Sequence, residues 1–181
     1  MTGVEIRELS AGDFAIVCSW LSDPSLNRWL ASEWRGRSVT PAVLAAAVRS
    51  GRSRLFVVTV DGTQTGLVAL SEIDQQDGVA MVWYLLGRSD LGRTGVTTAA
   101  VKSLMNVAIG EMGLRCLYAW IAASNFKSRR VLERNGFREV GRLRSATTVD
   151  GIVEDRVYFD FVGGASVDES GVQGSSRQDG D

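Results

Sequence analysis

Leu91-Gly92-Arg93-Thr94-Gly95-Val96-Thr97-Thr98-Ala99 is the stretch that decides how this chain is read. It follows Val79-Ala80-Met81-Val82-Trp83-Tyr84-Leu85-Leu86, a continuous apolar run rich in β-branched and aromatic residues that reads as a buried strand. It leads into Val96, Ala100, Leu104, Val107 and Ala108, which recur at helical spacing. A strand, a glycine turn and a helix in that order set free N–H groups and the helix dipole against anything lying over the turn. The glycines also let a ligand approach the backbone. A pyrophosphate fits such a turn. A turn that uses glycine for geometry alone reads the same, since short glycine motifs recur without ligands.

A second stretch has the same layout. The apolar run Cys116-Leu117-Tyr118-Ala119-Trp120-Ile121-Ala122 reads as a strand. After it comes Asn125-Phe126-Lys127-Ser128-Arg129-Arg130-Val131-Leu132-Glu133-Arg134-Asn135-Gly136-Phe137, a helix with Asn125 as its N-cap and Gly136 as its stop. Lys127, Arg129 and Arg130 oppose the dipole of that first turn; a bound anion would remove the conflict, and so would side chains turned into water.

Together the two stretches resemble the GNAT family of acyl-CoA-dependent N-acetyltransferases, in its RimJ/RimL-type branch. The resemblance rests on Tyr84-Leu85-Leu86, Gly92-Arg93-Thr94 with the Thr97-Thr98-Ala99 helix start, Asn125-x-x-Ser128 and Gly136-Phe137. It continues through Gly141, the Asp150-Gly151 turn and a final strand with Tyr158, over roughly residues 4 to 162. It implies a mixed α/β domain over 1–162, with a mostly antiparallel sheet splayed to admit acetyl-CoA or another acyl-CoA.

The same resemblance assigns roles. Leu91, Gly92, Arg93, Thr94, Gly95, Val96 and Thr97 would hold the pyrophosphate, with Asn125 and Arg129 also on the cofactor. The Leu85 or Leu86 amide would face the thioester oxygen. Ser128 would protonate the departing thiolate, because Leu132 stands where many members have a tyrosine. The early helical region, through Trp29, Glu33 and Trp34, would line the acceptor cleft, with Tyr84 beside it; core packing of the tryptophans and a solvated Glu33 is the plainer reading.

Two departures weaken the match. The family usually has Gly-x-Gly where this chain has Gly92-Arg93-Thr94, so the Thr94 side chain would crowd the phosphates. Thr147 aligns with the glutamate of RimL-like enzymes and cannot take up a proton at neutral pH. Glu72 and Glu33 are then the candidate bases, with Asp74 third. A non-catalytic acyl-CoA-binding module on the same fold is the alternative.

Composition narrows the classes. At 181 residues and 45% hydrophobic, the chain suits one domain. Its N-terminus has neither the basic nor the apolar part of a signal peptide, which points to the cytoplasm, and no apolar run is long enough for a membrane span. Histidine is absent, which excludes a histidine triad and argues against a zinc site. Cys18 and Cys116 lie in apolar patterns and read as free thiols. A net charge of −1 argues against nucleic-acid binding, and no metal is expected.

The remaining elements are ordinary. Val4 to Leu9 reads as a strand, Asp13 to Leu21 as a helix ending before Pro24, and Thr40-Pro41 as the cap of an alanine-rich helix to Ser50. Leu55 to Val60 and Gly66 to Ile73 form a hairpin about Asp61-Gly62; Phe137 to Ala146 and Val153 to Phe161 form another about Asp150-Gly151. The segment 163–181, rich in Gly, Ser, Gln and Asp, has almost nothing to bury and is expected to be disordered. The expected partner is a small-molecule or peptide N-terminal amine, and the aromatic first forty residues leave room for a homodimer surface.

Overall fold

A computed structural model describes residues 3–163; the expected tail disorder falls almost wholly outside the described residues. The elements are β1 (Val4–Glu8), α1 (Phe14–Ser22), α2 (Pro24–Asn27), α3 (Pro41–Arg49), β2 (Arg54–Val60), β3 (Thr63–Asp74) and β4 (Val79–Leu86). They continue with α4 (Val96–Asn106), β5 (Cys116–Ala122), α5 (Phe126–Arg134), β6 (Arg138–Val149) and β7 (Ile152–Val162).

One seven-stranded sheet, in the order β1-β2-β3-β4-β5-β7-β6, divides the molecule. Every neighbouring pair is antiparallel except β4 and β5, whose connection through α4 makes them parallel. Side chains alternate across the sheet, and each face has its own core. On one face α4 and α5 bury Val96, Ala100, Leu104 and Leu132 against Val68, Val82, Leu117 and Phe159. On the other, α1 and α3 bury Val17, Leu21 and Leu44 against Val57, Leu67 and Leu85. Each fully buried aliphatic side chain contributes about 1.5–3 kcal/mol, so both layers are fixed firmly to the sheet.

Caps set the helix entries. Thr40 accepts from Val43 N–H and Pro41 follows at the first helical position. Before α1, the buried Asp13 carboxylate accepts two 2.7 Å bonds from Arg7, one from Ser10 N–H at 2.9 Å, and one from Gln64 at 2.6 Å. The Arg7 guanidinium holds this carboxyl well below the usual carboxylate range.

Residues 28–36 differ from expectation. The early helical region is the four-residue α2 followed by turns. Asn27 stabilises this irregular chain from inside: its buried amide donates to Leu21 O at 2.7 Å and Trp34 O at 3.3 Å. The aromatic content of the first forty residues is spent inward, with Trp20 in the core and Trp29 and Trp34 on a cleft. No helix among the described residues is long and apolar enough to cross a membrane.

Candidate active site

The parallel pairing of β4 with β5 runs only through Val79, Ala80 and Met81, opposite Cys116, Leu117 and Tyr118. Beyond Met81 the strands part, while β4 stays paired to β3 as far as Leu86 and β5 to β7 as far as Ala122. The gap exposes one main-chain edge of β4. Gly87 N–H donates to Thr65 O at 2.9 Å, and hydrogen-bonded pairs alternate along an antiparallel ladder. Leu85 and Trp83 therefore face β3, and Val82, Tyr84 and Leu86 turn their main-chain groups to the gap. Of the two amides the sequence offered, Leu86 N–H has the required direction.

Each diverging strand feeds a helix, so the starts of α4 and α5 meet at the same edge of the sheet. Gly95 caps α4 in the left-handed region at φ 86°, with no side chain on the helix end. The first amide to find a main-chain acceptor is Ala99, bonded to Gly95 O at 3.0 Å. The N–H groups of Val96, Thr97 and Thr98 have no acceptor among the described residues, the setting in which a helix end binds an anion. Thr94 does not crowd this end as expected. Its hydroxyl donates to Leu91 O at 2.8 Å and its own N–H bonds the same carbonyl at 3.2 Å, so the side chain folds back into the turn. Leu91, Gly92 and Arg93 form that turn, with Arg93 exposed.

At the start of α5, Asn125 caps as expected, its buried side chain accepting from Ser128 N–H at 3.1 Å. The Tyr84 hydroxyl donates to Ser128 O at 3.1 Å and ties β4 to α5 across the gap; burial pushes the Tyr84 phenol above its ordinary value. Ser128 lines the cleft, and its hydroxyl has no hydrogen-bond partner among the described residues. Arg129 departs from expectation. Its guanidinium pairs with Glu139 at 2.7 Å and Glu133 at 3.7 Å and stacks on Phe159, away from the cleft. For Arg129 the charge conflict at this helix start is thus relieved by carboxylates further along the chain, while Lys127 and Arg130 are exposed.

A cleft of about 550 Å³, counted with its solvent-open part, fills the gap and extends under residues 29–34. Met81, Val82, Trp83 and Tyr84 line it from β4, and Ala119, Trp120 and Ile121 from β5. Asn125, Ser128 and Leu132 close it from α5, and Trp29, Glu33 and Trp34 form its outer wall. Trp34 packs on Trp83 with ring centroids 5.6 Å apart. Two contacts hold this wall against the β6–β7 hairpin: Arg28 pairs with Asp150 at 3.0 Å, and Arg35 donates to Thr148 O.

The two candidate bases are separated. Glu33 lines the cleft. Glu72 lies outside that lining, exposed at a bulge with φ 51°, and accepts from the Tyr118 hydroxyl. Burial, and then the Glu72 carboxylate, pushes the Tyr118 phenol up. Asp74 is also spoken for, capping a turn by accepting from Gln76 and Asp77 N–H. Thr147 is buried. Trp83 and Trp120 were not singled out from sequence, because an aromatic residue in an apolar strand is ordinarily core; only the divergence of the strands exposes them. The described residues contain no cluster of metal-ligating side chains.

Residues 4–138 match the family model for the acetyltransferase (GNAT) domain. The chain belongs to the GNAT acetyltransferase family. It is 34% identical over 102 residues to the protein named Putative ribosomal N-acetyltransferase YdaF of Bacillus subtilis, a match spanning 56% of this chain and 55% of that protein. It is 24% identical over 170 residues to Uncharacterized N-acetyltransferase p20 of Bacillus licheniformis, spanning 87% and 91%. The chain thus spans about half of the first relative and nearly all of the second. Spermidine N-acetyltransferase from Vibrio cholerae, solved with CoA and spermine, has the same fold at a TM-score of 0.78 and 19% identity, covering 88% of this chain and 95% of that one.

Proposed function

We propose that this GNAT domain transfers acetyl or another short acyl group from acyl-CoA to a primary amine by direct attack in a ternary complex, as RimJ/RimL-type enzymes do. The observation that carries the reading is the parting of β4 and β5: a cleft with a carboxylate in its wall and a serine hydroxyl unbonded among the described residues lies between them, and the open start of α4 follows the end of β4. Acyl-CoA supplies the activated thioester carbonyl. The free amides of Val96, Thr97 and Thr98 suit its pyrophosphate, and the open edge of β4 suits the amides of its pantetheine arm. Leu86 N–H, turned to the gap, is assigned to the carbonyl oxygen as it gains charge, a donation that in other enzymes contributes about 3 kcal/mol.

The amine nitrogen bonds to the acyl carbon as the carbon–sulfur bond breaks. Ser128 Oγ–H donates toward the departing sulfur. The ammonium proton leaves through water toward Glu33, the carboxylate in the cleft wall. A single exposed carboxylate is a weak base, and that restricts the acceptor. A lysine amine is neutral in roughly one molecule in 2,500 at pH 7, an α-amine in roughly one in ten. The acceptor is therefore a small or terminal amine of low pKa. With Thr94 folded away from α4, one departure that favoured a non-catalytic module loses force, and Glu33 in the cleft offers a carboxylate where Thr147 has none.

Thermal unfolding with CoA and acyl-CoAs tests the donor. A ligand at 100 times its dissociation constant adds about 2.7 kcal/mol and moves the midpoint by several degrees. Ser128→Ala should keep that shift and lose about a hundredfold in kcat. Equal or faster turnover of lysine side chains than of α-amines would overturn the acceptor assignment, and the absence of any shift would overturn the donor.

A further inference from the structure

Four of the five tryptophans in the chain, Trp29, Trp34, Trp83 and Trp120, line this one cleft. Resting on the acetyltransferase reading, we infer that the acceptor is an α-amine whose α-carbon carries an aromatic or bulky aliphatic side chain, held as a single positive charge among these rings. The rings supply a large apolar surface with edges and faces suited to another ring or a branched chain. Charge limits the acceptor further. Among the described residues Glu33 is the only carboxylate lining the cleft, which gives counter-charge for one ammonium.

Cations already sit on two of the rings. Arg156 stacks on Trp120 at 4.0 Å, its Nε buried without a hydrogen-bond partner and its guanidinium paired with no carboxylate among the described residues. Arg28 stacks on Trp29 at 4.9 Å, neutralised by Asp150. A polyamine would bring its further ammonium groups to a lining that offers no second carboxylate among the described residues, with a guanidinium already stacked on one of its rings. A hydroxyl-rich amine such as an amino sugar fares no better, because the lining is dominated by rings and apolar side chains, and two of its few polar groups are already bonded. The Asn125 carbonyl oxygen caps α5 and the Tyr84 hydroxyl is bonded to Ser128 O. Sugar hydroxyls buried without partners there would cost more than stacking returns.

The test compares initial rates with acetyl-CoA on phenylalaninamide, leucinamide, glycinamide, spermidine and glucosamine. Phenylalaninamide and leucinamide should exceed the other three in kcat/KM by about tenfold or more, the discrimination that one or two apolar groups give in a fitted pocket. Trp34→Ala and Trp120→Ala should each narrow the ratio of phenylalaninamide to glycinamide. Glycinamide, spermidine or glucosamine matching phenylalaninamide would overturn the inference, as would an unchanged ratio in both variants. Quenching of tryptophan fluorescence with CoA present reads binding apart from turnover: saturation by phenylalaninamide at lower concentration than by spermidine supports the inference, and the reverse order refutes it. Loss of the acetyltransferase reading has a different signature, the absence of any stabilisation by acyl-CoA.

Discussion

The starts of α4 and α5 lie at the same edge of one sheet, each following one of two parallel strands, and they are finished in opposite ways. At α4 a left-handed glycine supplies no side chain and three amides find no acceptor among the described residues. At α5 the Asn125 side chain occupies the helix end, and what remains for a ligand is the Ser128 hydroxyl. Just ahead of α1, Asp13 makes no cap bond to that helix; its carboxylate is taken up by Arg7, Ser10 and Gln64, which fix the chain leading into it. An open start is a place to hold something from outside. A closed start holds the protein's own parts in position.

Changing the open start should cost affinity before stability. Gly95→Val forces a β-branched residue to φ 86° and distorts the turn that presents the amides. CoA affinity should fall by about a hundredfold, the equivalent of one or two charge-assisted hydrogen bonds, as read by calorimetric titration. Normal CoA binding by the Gly95→Val variant would erase the distinction between the two helix starts. The closed start of α5 and the chain leading into α1 should behave in reverse.

Asp13→Asn should destabilise by about 2 kcal/mol in urea unfolding at pH 7, with no change in CoA affinity. Because Asp13 titrates lower in the folded protein than the unfolded value near 3.9, its contribution is complete above that value and is lost as pH falls toward the folded one. The gap between the native protein and Asp13→Asn should therefore shrink between pH 5 and pH 3. Asn125→Ala removes a single cap and should cost about 1 kcal/mol, or 2–4 °C in midpoint. The smallest effect belongs to Thr94→Gly. With its hydroxyl bonded to Leu91 O, the side chain does not face the open amides, so CoA affinity should change by less than about threefold, well under the effect of one charge-assisted hydrogen bond.

Elements bounded by their own local chemistry were legible in the sequence. The strands Val79–Leu86 and Cys116–Ala122, the Thr40-Pro41 entry and the Asn125 and Gly136 bounds of α5 are found where periodicity and capping residues put them. What the sequence did not show depends on contacts between distant residues. Whether Arg129 serves an anion or a carboxylate is decided by Glu139, which β6 brings alongside. Glu33 and Glu72 look equivalent in a one-dimensional list and are told apart only by the cleft. The direction of the Leu86 amide follows from ladder register, and the tryptophan lining from the point where β4 and β5 part. The helical reading of residues 28–36 rests on the resemblance alone, and in this chain Asn27 spends its side chain stabilising a turn there.

The strand order also bears on how the molecule is made. β7, the last described strand, does not add to an edge but lies between β5 and β6, both synthesised before it. Until β7 arrives, β5 has only its three-residue pairing with β4, and β6 has no neighbour in the sheet. Chains emerging N-terminus first fold domain by domain, and here the earlier strands must wait with open edges for the final one. Closure of the outer cleft wall, through Arg28 to Asp150 and Arg35 to Thr148, waits on the same hairpin. A nascent chain halted before residue 152 would carry nearly every residue assigned to the site and still have no finished cleft.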